Sequence, residues 1–267
     1  MVAETLTGTQ NTMNLENANQ AELQTWEEKL AAKYNEYKEA GLKLDLTRGK
    51  PGNAQLDLAV AMEDLPKNKM FLENGTDLRN YGGLDGIPAA RKLGAEMLGL
   101  PESEVISGDH SSLSLMYLYL LHAFYQGSQG PETAWANEGE IRFLAVVPGY
   151  DRHFSICEEL GIRMINVNML ADGPDMDTVE DLVSKDPGIK GMWCVPKYSN
   201  PTGNIYSEEV VERIAALGKI AGPNFRVMWD NAYGVHDLLE NSQQLANVMD
   251  YCRKYGTDDN LILTAST

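Results

Sequence analysis

The sequence predicts an α/β fold: a three-layer α/β/α domain on a mostly parallel sheet, preceded by one long N-terminal helix. Three observations carry that reading. From Ile141 to Thr264, apolar runs of strand length alternate with amphipathic segments of helix length, the rhythm of parallel strands joined by helical crossovers. The runs Ile141–Val147, Gly191–Val195 and Phe225–Trp229 are almost wholly apolar, as expected of strands covered on both faces. Each leads into turn-forming or polar residues: Pro148-Gly149-Tyr150, Ser199-Asn200-Pro201-Thr202-Gly203 and Asp230, with Tyr233 three residues on. Open α/β sheets bind ligands outside the carboxyl ends of their strands, so Asn200, Asp230 and Tyr233 should face one site.

Taken in order, residues 1–18 show no periodicity and read as a loose arm. Asn19 and Glu22 have capping-box spacing, and Leu23, Trp26, Leu30, Tyr34 and Tyr37 then recur at helical intervals until Gly41. Leu42–Leu46 reads as a short extended piece delivering the loop Thr47-Arg48-Gly49-Lys50-Pro51-Gly52, which is either an ordinary connector or a functional loop. The turn Asn80–Gly86 feeds a helix with Pro88 in its first turn and Ile87, Ala90, Leu93 and Met97 as its apolar face. After the apolar run at Val105, a turn opens a long helix reaching about Tyr125. Ser111 and Ser112 at its start suit either helix capping or an anion held by unpaired N–H groups.

Residues 127–140 read as a connector, 151–160 as a helix ending at Gly161, Arg163–Asn168 as a strand and Met176–Ser184 as a helix. A further helix follows the Asn-Pro-Thr-Gly turn, another is expected over Asn241–Lys254, and a last strand over Asn260–Thr264. His153, one turn past Tyr150, is given no role beyond a partner to nearby loops. There is no Gly-x-Gly-x-x-Gly fingerprint, which argues against a nicotinamide enzyme.

Composition narrows the classes further. A chain of 267 residues, 43% apolar, can bury a substantial core. Its net charge of −17, without a Lys/Arg cluster, argues against nucleic acid and anionic membranes as partners. The polar first twenty residues do not resemble a signal peptide, and no apolar run approaches a membrane span. Cys157, Cys194 and Cys252 are odd in number and widely spaced; they read as small buried hydrophobes in a reduced cytoplasm, and no metal site is expected.

Asn200-Pro201-Thr202-Gly203 together with Asp230-Asn231-Ala232-Tyr233 resembles the fold-type I pyridoxal-phosphate aminotransferases. The resemblance implies pyridoxal 5′-phosphate as cofactor and a role for each matching residue. Asp230 would keep the ring nitrogen protonated, so that it accepts charge; Asn200 and Tyr233 would donate to the phenolic oxygen. Tyr150 would stack on the ring, Ser111 and Ser112 would hold the phosphate, and Ser266 would be a further cofactor-binding residue. Tyr81, in a Tyr-x-x-x-x-Gly element ending at Gly86, would reach the phosphate of a neighbouring subunit, which implies a homodimer. Gly49, in Gly49-Lys50-Pro51, would lie near the substrate α-carboxylate, Arg48 or Lys50 near a second carboxylate, and Asn200 would also contact substrate. Where relatives carry Gly-Asn before Ser-Ser-Leu, this chain has Asp109-His110, and a carboxylate beside a phosphate is unfavourable unless it points away.

The resemblance also implies what lies elsewhere. The lysine that bonds the cofactor follows a Ser-x-x-Lys pattern and by register falls two residues past Thr267; the small C-terminal domain and its arginines are likewise absent from the 267 residues. The expected organisation is an arm, helix and substrate loop over 1–50 and a cofactor-binding large domain over 51–267, incomplete at its end and inactive alone. Arg48-Gly49-Lys50-Pro51, Ser111-Ser112-Leu113-Ser114-Leu115-Met116 and the Pro196–Gly203 wording look most like a subgroup acting on aspartate and 2-oxoglutarate. Aromatic or kynurenine transamination is the enzymatic alternative, and a non-catalytic cofactor-binding regulator or scaffold is the alternative of another class.

Overall fold

The computed structural model describes residues 17–43, 51–62, 69–108, 110–237 and 239–266. The chain divides into two compact units, 1–79 and 80–267. The boundary expected at residue 50 falls within 44–50, outside the described residues.

In the first unit, α1 (Gln20–Glu39) begins where the sequence places it. Asn19 Oδ1 accepts from the Glu22 N–H at 3.0 Å while the Glu22 carboxylate accepts from the Asn19 N–H at 2.9 Å. That reciprocal cap occupies donors that a helix start otherwise leaves without partners. The apolar stripe of α1 stays exposed at Leu23, Leu30, Tyr34 and Tyr37. A short helix, α2 (Asn53–Leu56), runs into a 3₁₀ segment, Asp57–Met62.

The second unit holds α3 (Pro88–Leu98), α4 (Ser112–Tyr125), β1 (Arg142–Val147), α5 (Asp151–Glu159), β2 (Arg163–Leu170), β3 (Gly173–Pro174), α6 (Met176–Lys185), β4 (Ile189–Cys194), α7 (Glu208–Ala216), β5 (Arg226–Asp230), α8 (Val248–Tyr255) and β6 (Leu261–Thr264). The strands form one sheet in the order β3-β2-β1-β4-β5-β6, parallel throughout except for the β2–β3 pair. From β1 the chain moves outward to β2 and then returns to place β4 on β1's other side. The order therefore reverses between β1 and β4, and a crevice opens at their carboxyl ends.

Side-chain alternation assigns the two faces. Leu144, Met192, Cys194, Val227 and Trp229 pack in one core with Val179 of α6, Ile214 of α7 and Cys252 of α8. Phe143, Trp193 and Met228 pack in a second core with Leu120 of α4 and Cys157 of α5. These two cores are the three-layer arrangement expected. Burial of each large apolar side chain contributes about 1.5–3 kcal/mol, so both faces of β4, buried along its whole length, are strong organisers. Gly191 is required in that strand: a Cβ there would lie 2.2 Å from the Phe143 ring on β1. All three cysteines are free and buried, and burial raises the Cys157 and Cys252 thiols to about 11 and Cys194 further. Among the described residues no helix is long and apolar enough to cross a membrane.

Two local expectations are corrected and one strand is added. The helix expected over Asn241–Lys254 begins only at Val248, because Asn247 is its N-cap: its Oδ1 accepts from the Met249 N–H at 3.0 Å and its Nδ2 donates to the Gly99 carbonyl at 3.3 Å. On α3 and its N-cap, Ile87, Ala90 and Met97 are half-buried as expected, but Leu93 is exposed and Ala95 is the buried residue. The antiparallel β3 has too short a run, two residues, to leave a strand signal.

At the amino end of the sheet Arg142 makes a two-pronged bond to Asp186, Nε–Oδ2 and Nη2–Oδ1 both 2.7 Å, and the Gly188 N–H donates to the same carboxylate at 2.9 Å. The Arg142 contact above all, opposed by burial and aided by Gly188, holds the Asp186 carboxyl below its ordinary range. The stabilisation is present above the unfolded value of about 3.9 and is lost as pH falls through the lowered native value. In urea melts between pH 3 and 5, the wild-type midpoint is expected to fall more steeply with acid than that of Asp186→Asn; parallel profiles would refute the assignment.

Candidate active site

A cavity of about 290 Å³ opens at the carboxyl ends of β1, β4 and β5. Its lining includes Ser111 and Ser112 from the start of α4, Tyr150 after β1, Asn200 after β4, and Asp230 and Tyr233 at and after β5. The sequence therefore brings six of its candidates to one wall. His110 lines the same cavity. Tyr81 is fully exposed and Ser266 exposed; neither is among the lining residues. Gly49, Arg48 and Asp109 lie outside the described residues.

Local sequence explains each placement. Ser111 is the N-cap of α4 and its hydroxyl oxygen accepts from the Ser114 N–H at 3.3 Å, a bond that uses neither the hydroxyl's own proton nor the N–H groups of Ser112 and Leu113. The capping and anion readings of this serine are thus compatible. Tyr150 caps α5, held there by a turn in which a Cβ on Gly149 would meet the Val146 carbonyl at 2.2 Å. Burial first, then the neighbouring Asp151, Asp230 and Tyr233, raise the Tyr150 phenol, with Arg152 opposing. The Asn200 turn is closed by the Gly203 N–H on the Ser199 carbonyl at 2.5 Å and the Ser199 N–H on the Asn204 carbonyl at 2.9 Å. Asn204 in turn donates to the carbonyls of Leu170 and Ala171 at 3.0 and 2.7 Å, anchoring the turn to the end of β2.

Asp230 is the centre of the arrangement. It is 4% exposed, and Oδ2 lies 3.0 Å from His153 Nε2, itself 1% exposed. Its other oxygen, Oδ1, is buried without a hydrogen-bond partner among the described residues. A buried acceptor left open costs about 1–3 kcal/mol, so this atom is suited to a donor arriving from the cavity. A protonated heterocyclic nitrogen is such a donor. The serine-lined start of α4 suits a phosphate and the Tyr150 ring a flat partner, so these residues fit the cofactor that the resemblance implies.

His153 is the site residue that sequence reasoning passed over. Its ring stacks on Trp193 at 4.2 Å and 7°, and Trp193 Nε1 donates to Cys157 Sγ at 3.2 Å. Tyr150 meets it edge-on at 5.1 Å. The histidine is thus held by packing on one side and charge on another, more than a loop partner. The available signal was its position one turn into α5, facing inward beside Tyr150.

The Aspartate amino-transferase family model matches residues 18–267. The chain is 47% identical over 223 residues to an aspartate aminotransferase of Corynebacterium glutamicum, covering 83% of this chain and 51% of that protein. A crystal structure of an aspartate transaminase from Corynebacterium glutamicum superposes with a TM-score of 0.84 at 42% identity, over 96% of this chain and 60% of the other. An α-aminoadipate aminotransferase from Thermus thermophilus, complexed with N-(5′-phosphopyridoxyl)-L-leucine, shares the fold at a TM-score of 0.57 and 19% identity, over 79% of this chain and 47% of that one. The chain spans about half the length of the curated relatives it matches.

Proposed function

Because the chain belongs to the aspartate aminotransferase family, we propose that it forms the cofactor-binding part of a pyridoxal-phosphate enzyme moving an amino group from L-aspartate to 2-oxoglutarate. The observation that carries this is the open, buried Oδ1 of Asp230 in a cavity that Asn200 and Tyr233 also line.

The cofactor, when bound, supplies an electron sink conjugated to the carbon that exchanges the amino group. The chain's residues hold and polarise it. Asp230 accepts the ring N–H and keeps that proton in place, with His153 fixing the carboxylate's orientation. Asn200 and Tyr233 donate to the phenolic oxygen. Tyr150 covers a ring face and excludes water from it. Ser111 and Ser112 receive the phosphate, aided by the partial positive charge of the α4 start, and Ser266 is a further cofactor-binding residue. Gly49 and Arg48 belong to the loop that meets the substrate carboxylates, in a functional division of 1–50 against 51–267. The exposed Tyr81 serves the site of a second copy in a homodimer. Three unpaired cysteines favour a reducing, cytoplasmic setting.

Absorbance titration, with pyridoxal phosphate, of the protein that carries these residues tests the cofactor reading: saturable binding with a changed ring spectrum is expected, and an unchanged spectrum would refute it. The substrate pair is tested on the protein that carries these residues, supplied with L-aspartate and 2-oxoglutarate. Oxaloacetate and glutamate should form in equal amounts, and faster turnover of kynurenine or an aromatic amino acid would replace aspartate as the substrate.

A further inference from the structure

We propose that Lys197 is a positioning residue that ties the turn bearing Asn200 to the turn bearing Tyr233 from behind, and so sets the spacing of the two groups facing the cofactor oxygen. The inference rests on the cofactor reading above. Lys197 lies three residues past β4 and its side chain is 3% exposed. Lysine is seldom buried so completely unless paired. Its Nζ donates to the Gly234 carbonyl at 3.0 Å and to the Asp237 carboxylate at 2.6 Å, and lies 5.6 Å from the centre of the Tyr198 ring. Gly234 directly follows Tyr233.

The backbone between Lys197 and Asn200 separates their directions. Tyr198 has φ +49°, a left-handed conformation uncommon for an aromatic residue, and the chain turns there. Asn200 then lines the cavity shared with Asp230 and Tyr233, while Lys197 lines a separate cleft of about 300 Å³ with Trp229, Asn231 and Asn247. The lysine is therefore on the far side of the loops from the proposed cofactor, which leaves it no direct part in the chemistry.

Among the described residues the tether has little competition. The Asn231 N–H anchors the start of the second loop to the Thr264 carbonyl at 2.8 Å. Beyond it, among the described residues, the hydrogen bonds of 232–237 are local turns, Gly234 N–H to Asn231 and His236 N–H to Tyr233, apart from the two made by Lys197. The pair adds little net stability because its aspartate is 42% exposed and solvent screens the attraction. What the pair supplies here is direction: it prevents the Tyr233 turn from moving away from the Asn200 turn.

The test compares wild type with Lys197→Met, Lys197→Arg, Tyr233→Phe and the Lys197→Met/Tyr233→Phe pair. Amide exchange is read without ligand, and affinity and ring spectrum with pyridoxal phosphate. Lys197→Met should speed exchange at 232–237 about tenfold and weaken cofactor binding about tenfold. It should also move the bound spectrum in the same direction as Tyr233→Phe. The pair should lose little more affinity than the worse single variant, since both act through one phenol, and Lys197→Arg should recover part of the loss. Unchanged exchange in Lys197→Met, or losses that add fully in the pair, would overturn the inference while wild-type binding leaves the site reading standing. A wild-type protein that carries these residues and binds no pyridoxal phosphate would overturn that reading, and with it the purpose assigned to Lys197.

Discussion

Asp230→Asn is expected to weaken pyridoxal phosphate binding by about 10- to 150-fold, the loss of one charge-assisted hydrogen bond worth about 1.5–3 kcal/mol. Asparagine is the informative choice because it keeps the shape and can still accept from His153, whose Nε2 lies 3.0 Å from Oδ2 in the native chain. It removes the negative charge and, with its oxygen turned to His153, presents an NH2 instead of an acceptor to the cavity, so nothing there holds a proton on the ring nitrogen. Alanine would remove the His153 partner as well, leaving a buried imidazole nitrogen unsatisfied at a further cost of about 1–3 kcal/mol in folding. The two variants should therefore share a binding defect and differ in urea midpoint. Affinity within about twofold of wild type for Asp230→Asn would remove this carboxylate from the proposed site.

The largest expected effect on stability belongs to Trp229→Ala, at about 3–5 kcal/mol. Trp229 is 1% exposed, precedes Asp230 in β5, and meets the Tyr206 ring edge-on at 5.9 Å and 85°. Its indole fills the core beneath α7 and α8 rather than the side that carries His153. Against a total domain stability of roughly 5–15 kcal/mol the loss is large, so the urea midpoint should collapse. A loss under about 1 kcal/mol would mean that the core closes over the vacated volume and that the packing described is wrong.

These two neighbours show what the sequence discloses and what it withholds. Asp230, Asn200 and Tyr233 were legible because apolar strands followed by Pro, Gly or polar residues mark strand carboxyl ends, and a parallel sheet gathers those ends. The helices with strong starts were equally plain: Asn19 with Glu22 identifies α1 and Ser111 identifies the opening of α4. The His153–Asp230 contact was not legible, since it joins residues 77 apart and nothing local states which buried polar group a histidine will meet. Lys197 was hidden for the same reason, its acceptors lying 37 and 40 residues away. Asn247 misled by composition: it reads as one more polar residue of a helix, yet its side chain serves as the cap that delays α8.

The pleat of β5 has a consequence for what sequence change this site can tolerate. Met228 points to the layer of α4 and α5, while Val227 and Trp229 point to the layer of α6 to α8. Asp230 has the parity of Met228, and so its carboxylate emerges beside the histidine of α5. One residue inserted between Arg226 and Trp229 would invert that parity and deliver the acid toward Tyr206 instead. The reading frame of five consecutive backbone units is thus as much a determinant of the chemistry as the identity of the acid itself.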